Sequence, residues 1–211
     1  MCRILYARAD ADFAIVDLLR PFAELSRLSS EFQGHGWGCA WRQGDSWKQY
    51  HDIRPIWEDD LSQFGSTHLL LLHARSAFRD EGIVVENNMP FSDGKLVFIF
   101  NGELRGVRIK SEGRIGAEKI FNYIRRFDKG DKLAATARAV DIIDKRSAYL
   151  RAMNIILSDG EQSVLSTRYN EDPDYFQMHQ KHANGLQLVC SRPFADETDW
   201  TPIENNTTIT L

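Results

Sequence analysis

Short runs of apolar residues, rich in β-branched and aromatic side chains, recur along the chain and predict β-strands. The predicted strands are residues 2–7, 36–42, 46–50, 68–75, 96–101, 153–157, 163–169 and 186–191. Gly44-Asp45 and Asp159-Gly160 separate neighbouring runs and predict hairpin turns. Residues 69–72 and 96–100 are apolar without alternation, which indicates strands buried on both faces.

Apolar residues spaced three and four apart predict four helices. The first has Asp10 or Asp12 as N-cap and the apolar face Phe13, Val16, Leu19 and Leu25, and the second is a short helix over residues 57–64. The third has the apolar stripe Ala117, Ile120, Phe121, Ile124 and Phe127. The fourth runs from Lys132 to about Leu150 with the stripe Leu133, Ala137, Val140 and Ile143. Pro21 is expected to kink or break the first helix.

The order of these elements predicts the fold class. One strand and one helix are followed by several strands, two consecutive helices and further strands, which is not the strand–helix alternation of a parallel sheet. Hairpin-joined strands with helices in blocks favour an α+β fold, a four-layer αββα sandwich of two mainly antiparallel sheets. Because no linker or repeat interrupts the pattern, residues 1–211 are expected to form a single domain.

Composition narrows the class of protein. The 211 residues carry 26 Lys and Arg against 30 Asp and Glu, a net charge of −4, and this balance predicts neither a nucleic-acid nor a membrane partner. No run approaches the roughly 18 apolar residues of a membrane span. Arg3 and Arg8 interrupt the apolar residues near the N-terminus, so no secretory signal is expected and we predict a cytoplasmic protein.

The cysteines and histidines predict no cofactor. Cys2, Cys39 and Cys190 are too widely spaced for a zinc site and too few for a disulfide framework, and Cys39 and Cys190 are expected in the core. The six histidines lack metal-binding spacing. Residues 34–38 are rich in glycine, but no helix pattern follows them as it does in a phosphate-binding loop.

Cys2 is the candidate nucleophile. If Met1 were removed, Cys2 would carry both a thiol and a free α-amine, whose pKa of about 8 suits a base at neutral pH. The small side chain of Cys2 permits that removal. The alternative is that a cysteine stands at the second position by chance.

Three further segments favour Cys2 as a nucleophile over a cysteine that stands there by chance. They are His73-Ala74-Arg75, Phe100-Asn101-Gly102 and Gly36-Trp37-Gly38. Together with Cys2 they resemble, in order along the chain, the landmarks of the class II glutamine amidotransferases, which are N-terminal-nucleophile hydrolases. Pro90-Phe91, residues 117–121 and residues 189–194 extend the resemblance over essentially the whole chain.

The resemblance implies roles for individual residues. Cys2 is the nucleophile, the Asn101 side chain and the Gly102 backbone N–H stabilise the oxyanion, and Arg75 binds the substrate's α-carboxylate. Glycine at position 102 would also let the backbone approach the substrate. The alternatives are a plain hairpin turn at Asn101-Gly102 and a structural ion pair between Arg75 and a glutamate. His73 is expected to be a core or near-site histidine and not a base.

The sequence departs from the family at three positions. Phe100 and Met89 stand where the family has histidines, which predicts a drier pocket or one shaped for another ligand. Gly116 stands where the family has the aspartate that binds the α-ammonium of glutamine. Glu112 or Glu103 is the hypothetical replacement for that carboxylate.

The leading hypothesis is therefore an amide hydrolase that cleaves glutamine or another γ-glutamyl amide through a Cys2 thioester and releases ammonia or an amine. A separate synthase that uses the ammonia is an expected partner. One rival is a related hydrolase for amides without a free α-ammonium, which would explain Gly116. The other is a silent homologue with a binding or regulatory role, in which Cys2 need not become the first residue.

Overall fold

The computed structural model describes residues 1–195 and 197–211. In chain order the strands are β1 (Arg3–Ala14), β2 (Trp37–Gln43), β3 (Ser46–Asp52), β4 (Ser66–Ala74), β5 (Phe91–Ser92), β6 (Val97–Arg105), β7 (Tyr149–Ser158), β8 (Ser163–Thr167), β9 (His179–Ala183), β10 (Leu186–Cys190), β11 (Thr201–Pro202) and β12 (Thr207–Thr210). The helices are α1 (Ile15–Arg27), α2 (Gly116–Arg125), α3 (Lys132–Lys145) and α4 (Pro173–Phe176). All eight predicted strands and both predicted hairpins are confirmed, with shifted ends.

Contacts divide the described chain into two compact units, each with its own antiparallel sheet. The first unit comprises Met1–Pro90 and Met178–Ile203, and the second comprises Phe91–Gln177 and Glu204–Leu211. The α+β class with two mainly antiparallel sheets is thus confirmed. The expectation of a single domain stays a prediction.

The sheet of the first unit has the strand order β11-β9-β10-β1-β4-β2-β3. Helix α1 buries Ile15, Leu19 and Phe22 in the apolar cluster that also holds Trp37 and Leu72 of the sheet. Strand β4 is buried from Leu69 through Ala74, as its unbroken apolar run predicts. The middle of this sheet therefore offers a rigid support for residues at the ends of β1 and β4.

The predicted start of α1 is wrong, and the expected break at Pro21 does not occur, while a kink there stays a prediction. The helix begins at Ile15, not after Asp10 or Asp12, because β1 continues through both aspartates and pairs again with β4 at Phe13 after an irregularity. Pro21 lies inside the helix and does not end it. The helix continues through a residue that cannot donate a backbone hydrogen bond, since its apolar face is held by the core.

The sheet of the second unit has the strand order β12-β8-β7-β6-β5. The rings of Phe98 on β6 and Phe121 on α2 stack with centroids 5.3 Å apart. Arg168, the residue after β8, binds Asp141 and Asp144 of α3. Because side chains alternate along a strand, these contacts place α2 and α3 on the face that carries Phe98, and leave Asn101 on the opposite face.

Two other helix predictions need correction. Residues 57–64 form two short 3₁₀ turns, Ile56–Glu58 and Leu61–Gln63, instead of one helix. The helix that begins at Lys132 ends at Lys145, because β7 takes over from Tyr149. None of the helices described is long and apolar enough to cross a membrane.

Candidate active site

Cys2 immediately precedes β1, near the middle of the first unit's sheet. The pairing of Arg3 with Ala74 brings the start of β1 beside the end of β4. The side chain is only 7% exposed, and its thiol donates a hydrogen bond to the Ser76 carbonyl over 3.7 Å. The fold therefore holds the predicted nucleophile next to the residues that follow β4.

Several charges act on this thiol in opposite directions. Burial is the largest influence and raises the pKa of Cys2 above its ordinary value. The α-ammonium of the N-terminus and the Arg75 guanidinium act in the opposite sense, whereas the Glu31 carboxylate reinforces the rise. A thiol in these surroundings needs a base for activation.

Residues 29–33 contact the N-terminus directly. The Met1 α-ammonium forms an ion pair with the Glu31 carboxylate. The Gln33 side-chain amide donates to the Met1 carbonyl over 2.5 Å and to the Glu31 carbonyl over 2.8 Å. Ser29 accepts a hydrogen bond from Arg3 over 3.2 Å. No pattern in the sequence pointed to Glu31 or Gln33.

Arg75 follows β4 and is 5% exposed. Its guanidinium donates to the Asn88 side-chain oxygen over 3.3 Å and to the Gly82 carbonyl over 2.8 Å. Burial lowers the pKa of Arg75, and the nearby Cys2 thiol acts in the opposite sense. Within the described chain no carboxylate pairs with Arg75, so a structural ion pair is not its role here.

The glycine-rich segment before β2 owes its composition to close packing. Gly36 has a φ of +102°, and a Cβ there would lie 2.1 Å from the Asn88 side-chain nitrogen. At Gly38 a Cβ would lie 2.5 Å from the Met89 carbonyl oxygen. Asn88 in turn donates to the Asp52 carbonyl over 2.8 Å, so both glycines let the chain approach the support of Arg75.

His35 is a polar residue near the site that the sequence did not reveal. Its Nδ1 accepts a hydrogen bond from the Ala77 backbone N–H over 2.8 Å, and its Nε2 lies 3.5 Å from an Asp80 carboxylate oxygen. Burial lowers the pKa of His35 despite the opposing effect of Asp80. The neutral ring therefore fixes the chain just after Ser76. His73 is fully buried in β4, as expected for a core histidine.

Asn101 belongs to the second unit and lies inside β6, opposite Asn154 of β7. The prediction that Asn101-Gly102 ends its strand is wrong, and so is the alternative of a hairpin turn, because β6 continues to Arg105. Asn101 is fully buried, and neither amide atom has a hydrogen-bond partner among the described residues. Such an amide is disfavoured by about 1 to 3 kcal/mol unless a ligand or solvent satisfies it.

Asn154 provides a direct contrast on the neighbouring strand. It is equally buried, yet its side-chain nitrogen donates to the Phe176 carbonyl over 2.7 Å. Its side-chain oxygen accepts from the Thr167 hydroxyl over 2.8 Å. Of two asparagines side by side on one face, Asn154 is fully bonded and Asn101 has no side-chain partner among the described residues.

Gly102 is required by the neighbouring strand. A Cβ at this position would lie 2.2 Å from the Ala152 carbonyl oxygen and 2.8 Å from the Phe100 ring. Contacts under 3 Å to backbone atoms force the strands apart. The glycine therefore permits close pairing of β6 with β7, a structural reason beside the predicted approach to substrate.

The position expected to bind an ammonium carries no side chain. Gly116 is the first residue of α2 and is exposed, with nothing within 4 Å of the place its Cβ would occupy. Of the two hypothetical replacements, Glu103 already pairs with Arg105 and Arg151, while Glu112 is exposed. Within residues 1–195 and 197–211 no group of three His, Cys, Asp or Glu side chains is arranged to hold a metal ion.

Comparison with solved structures identifies the fold. A glutamine aminotransferase class-II domain protein from Silicibacter pomeroyi superposes with a TM-score of 0.69, at 16% identity, over 99% of this chain and 94% of that chain. This chain has the fold of the class II glutamine amidotransferase domain. No protein-family model matches the sequence, and the search of curated proteins found no match.

Two further solved structures are similar to this chain. A protein named as a predicted glutamine amidotransferase from Pseudomonas aeruginosa has a TM-score of 0.62 and 16% identity, with 99% of this chain and 96% of that chain covered. Glutamine phosphoribosylpyrophosphate amidotransferase from B. subtilis has a TM-score of 0.64 and 13% identity over 90% of this chain. The match spans only 42% of that longer enzyme.

Proposed function

We propose that this protein is an amide hydrolase of the class II glutamine amidotransferase type, with Cys2 as its nucleophile after removal of Met1. One observation carries the proposal. A buried thiol at the head of a central strand lies beside the end of β4, where a buried Arg75 guanidinium has no carboxylate partner among the described residues. A nucleophile next to an unneutralised cation suits an amide substrate that carries a carboxylate.

The proposed reaction begins with proton transfer from the Cys2 thiol to the Cys2 α-amine. The thiolate attacks the side-chain amide carbon and forms a tetrahedral oxyanion. The protonated amine then gives its proton to the leaving nitrogen, so that ammonia or an amine departs and a thioester remains. Water adds to the thioester with the same amine as base, which releases the carboxylic acid and restores the thiol.

Asn101 and Gly102 are the proposed donors to the oxyanion. The support is the buried Asn101 amide, which has no partner among the described residues although Asn154 beside it is fully bonded. A preorganised donor of this kind typically lowers the activation barrier of the chemical step by about 3 kcal/mol. The Gly102 backbone N–H is the second donor in this proposal.

Arg75 is the proposed group for the substrate's carboxylate. Its planar guanidinium can form two parallel hydrogen bonds with a carboxylate, which a lysine cannot do. The bonds to Gly82 and Asn88 fix the plane of the guanidinium before substrate arrives. A separate ammonia-using synthase stays a prediction.

A second substrate class is favoured by the positions that depart from the family. Gly116 is exposed at the start of α2 and offers no carboxylate, and Phe100 and Met89 replace polar residues of the family. An amide without a free α-ammonium would need no carboxylate at that position. This candidate uses the same Cys2 chemistry and differs only in substrate.

The decisive experiment uses protein in which Cys2 is the first residue, prepared by cleaving an N-terminal fusion. A diazoketone analogue of glutamine should alkylate Cys2, as located by peptide mapping, and not Cys2→Ala protein. Cys39→Ala is the matched control and should be labelled like the wild type, since Cys39 is buried in the core.

Turnover is then measured with glutamine, a panel of γ-glutamyl amides and their N-acetylated forms. Release of glutamate from unmodified substrates supports the first class, and preference for N-acetylated ones supports the second. Absence of both labelling and turnover, together with native protein that keeps Met1 by mass spectrometry, would refute the enzyme proposal and favour the silent homologue.

A further inference from the structure

The N-terminus lies against the polar segment of residues 29–33, and the proposed reaction gives Glu31 and Gln33 of this segment no role. Glu31 pairs with the α-ammonium of Met1, and the buried Gln33 side chain donates to the carbonyl of the same residue. Gln33 also donates to the Glu31 carbonyl over 2.8 Å, which fixes the two residues relative to each other. Both side chains therefore contact the backbone of Met1, directly before Cys2.

The proposed processing moves that terminus by one residue. Successive backbone nitrogens lie no more than about 3.6 Å apart. The Glu31 carboxylate that now contacts the Met1 nitrogen therefore lies within a few ångströms of the Cys2 nitrogen. Removal of Met1 also frees the Gln33 amide from the Met1 carbonyl that it now binds.

We propose that Glu31 holds the α-amino group of Cys2 in the processed protein and so positions the base beside its own thiol. The inference rests on the proposed function and assigns a positioning residue to it. It differs from a role in substrate binding, because the group that Glu31 contacts in this structure belongs to the protein's own terminus.

The charged groups around Cys2 determine how the contact between Glu31 and the α-amino group should affect the protonation of that amine. Arg75 after β4 acts on the thiol as a cation and Glu31 acts as an anion, while burial lowers the pKa of His35 and the Asp80 carboxylate beside it is largely exposed. A carboxylate next to an ammonium favours the protonated amine, whereas Arg75 favours the neutral one. Glu31 thus offsets Arg75 and keeps a proton available on the amine for the leaving group.

The test uses processed protein with Cys2 first and compares Glu31→Gln, Glu31→Asp and the control Glu58→Gln. Glu58 is an exposed glutamate of the same unit, so its variant makes the same change of charge away from the terminus. The α-carbon of Cys2 is labelled with ¹³C, and its chemical shift is followed against pH to titrate the amine. Alkylation of Cys2 by iodoacetamide against pH gives a second readout that needs no turnover.

Glu31→Gln should move the midpoint of the amine titration, and the acidic limb of kcat/KM for glutamine, about 0.5 to 1 pH unit lower. Glu31→Asp should restore most of the difference, and Glu58→Gln should match the wild type. An unchanged titration in Glu31→Gln would overturn the inference. A raised KM for glutamine with unchanged titration would also overturn it, because Glu31 would then bind the substrate's ammonium in place of the aspartate missing at position 116.

The two proposals fail separately in this experiment. If wild-type processed protein hydrolyses no amide, the proposed function is wrong whatever the titration shows. If the wild type is active and the Glu31→Gln titration is unchanged, only the role of Glu31 is wrong.

Discussion

Asn101 and Asn154 allow a matched test of the candidate oxyanion donor. Both are fully buried, lie opposite each other on β6 and β7, and occupy the same face of one sheet. Leucine has the same number of side-chain heavy atoms as asparagine and the same branching at Cγ. Asn101→Leu and Asn154→Leu therefore remove the amide with little change of shape.

The two variants should change stability in opposite directions. Asn101→Leu removes an amide without hydrogen-bond partners among the described residues, which should stabilise the folded state by about 1 to 3 kcal/mol. Asn154→Leu leaves the Thr167 hydroxyl and the Phe176 carbonyl without their partner, and at about 1 to 3 kcal/mol each should destabilise by about 2 to 6 kcal/mol. The difference between the variants is thus at least about 3 kcal/mol.

Urea unfolding followed by fluorescence or circular dichroism measures this difference. For a chain of this length 1 kcal/mol moves the melting temperature by about 2 to 4 °C, so the variants should melt at least 6 °C apart. Activity provides the second measurement. Asn101→Leu should lower kcat by about 100- to 1,000-fold, whereas folded Asn154→Leu should retain kcat within a few-fold.

One result would refute the reasoning about Asn101. If Asn101→Leu destabilised the protein as strongly as Asn154→Leu, the Asn101 amide would have a structural partner and could not be a preorganised donor. A stabilised variant with full activity would be equally damaging, because the unsatisfied amide would then have no part in the reaction.

Three further predictions concern other residues of the two units. Gly102→Ala should destabilise by more than about 2 kcal/mol in urea unfolding because its Cβ would meet the β7 backbone, while Gly65→Ala, with open space around its Cβ, should be nearly neutral. Arg75→Lys should raise KM for glutamine at least tenfold with a smaller change in kcat, and equal kinetic constants would contradict the carboxylate role. Hydrogen bonding by Arg54 lowers the pKa of Asp52 to about 2, so the stability advantage over Asp52→Asn should persist above pH 4 and shrink as pH falls from 4 to 2, and an advantage independent of pH would refute it.

Hydrophobic patterning predicted the buried strands and the exposed edge strand β3, but it missed the short or polar strands β5, β9, β11 and β12. The apolar runs that became β4, β6 and β7 are each long and almost wholly buried. Strands β9 (His179–Ala183) and β12 (Thr207–Thr210) are polar and partly exposed, and they form because a neighbouring strand supplies hydrogen bonds. Apolar periodicity records burial, so it does not detect such strands.

Predictions from helix-capping and turn residues were wrong where the segment pairs with a strand that is distant in sequence. Asp10 and Asp12 resemble helix N-caps, but they lie in a continuation of β1 that pairs again with β4. Asn101-Gly102 resembles a hairpin turn, but β7 pairs with it on both residues. In each case pairing between residues far apart in sequence overrides the preference of the local residues.

Some residues of the candidate site were predicted from the sequence, and others were missed. Cys2 and Arg75 were predicted from motifs, and the structure places both at the ends of adjacent central strands. Glu31, Gln33 and His35 were missed because they sit in an irregular segment. Glu31 and Gln33 contact Met1, and His35 contacts the chain after Arg75. The chain before β2 is itself held beside Arg75, whose backbone N–H donates to the Gly36 carbonyl.

Kinetics can separate the roles proposed for Arg75 and Asn101. Arg75, in the first unit, would hold the carboxylate in both the ground state and the transition state, so its loss should appear mainly in KM. Asn101, in the second unit, would donate to an oxyanion that exists only after attack, so its loss should lower kcat and kcat/KM equally and leave KM unchanged. A lysine at position 75 that changed only kcat, or a leucine at position 101 that changed only KM, would require these assignments to be exchanged or abandoned.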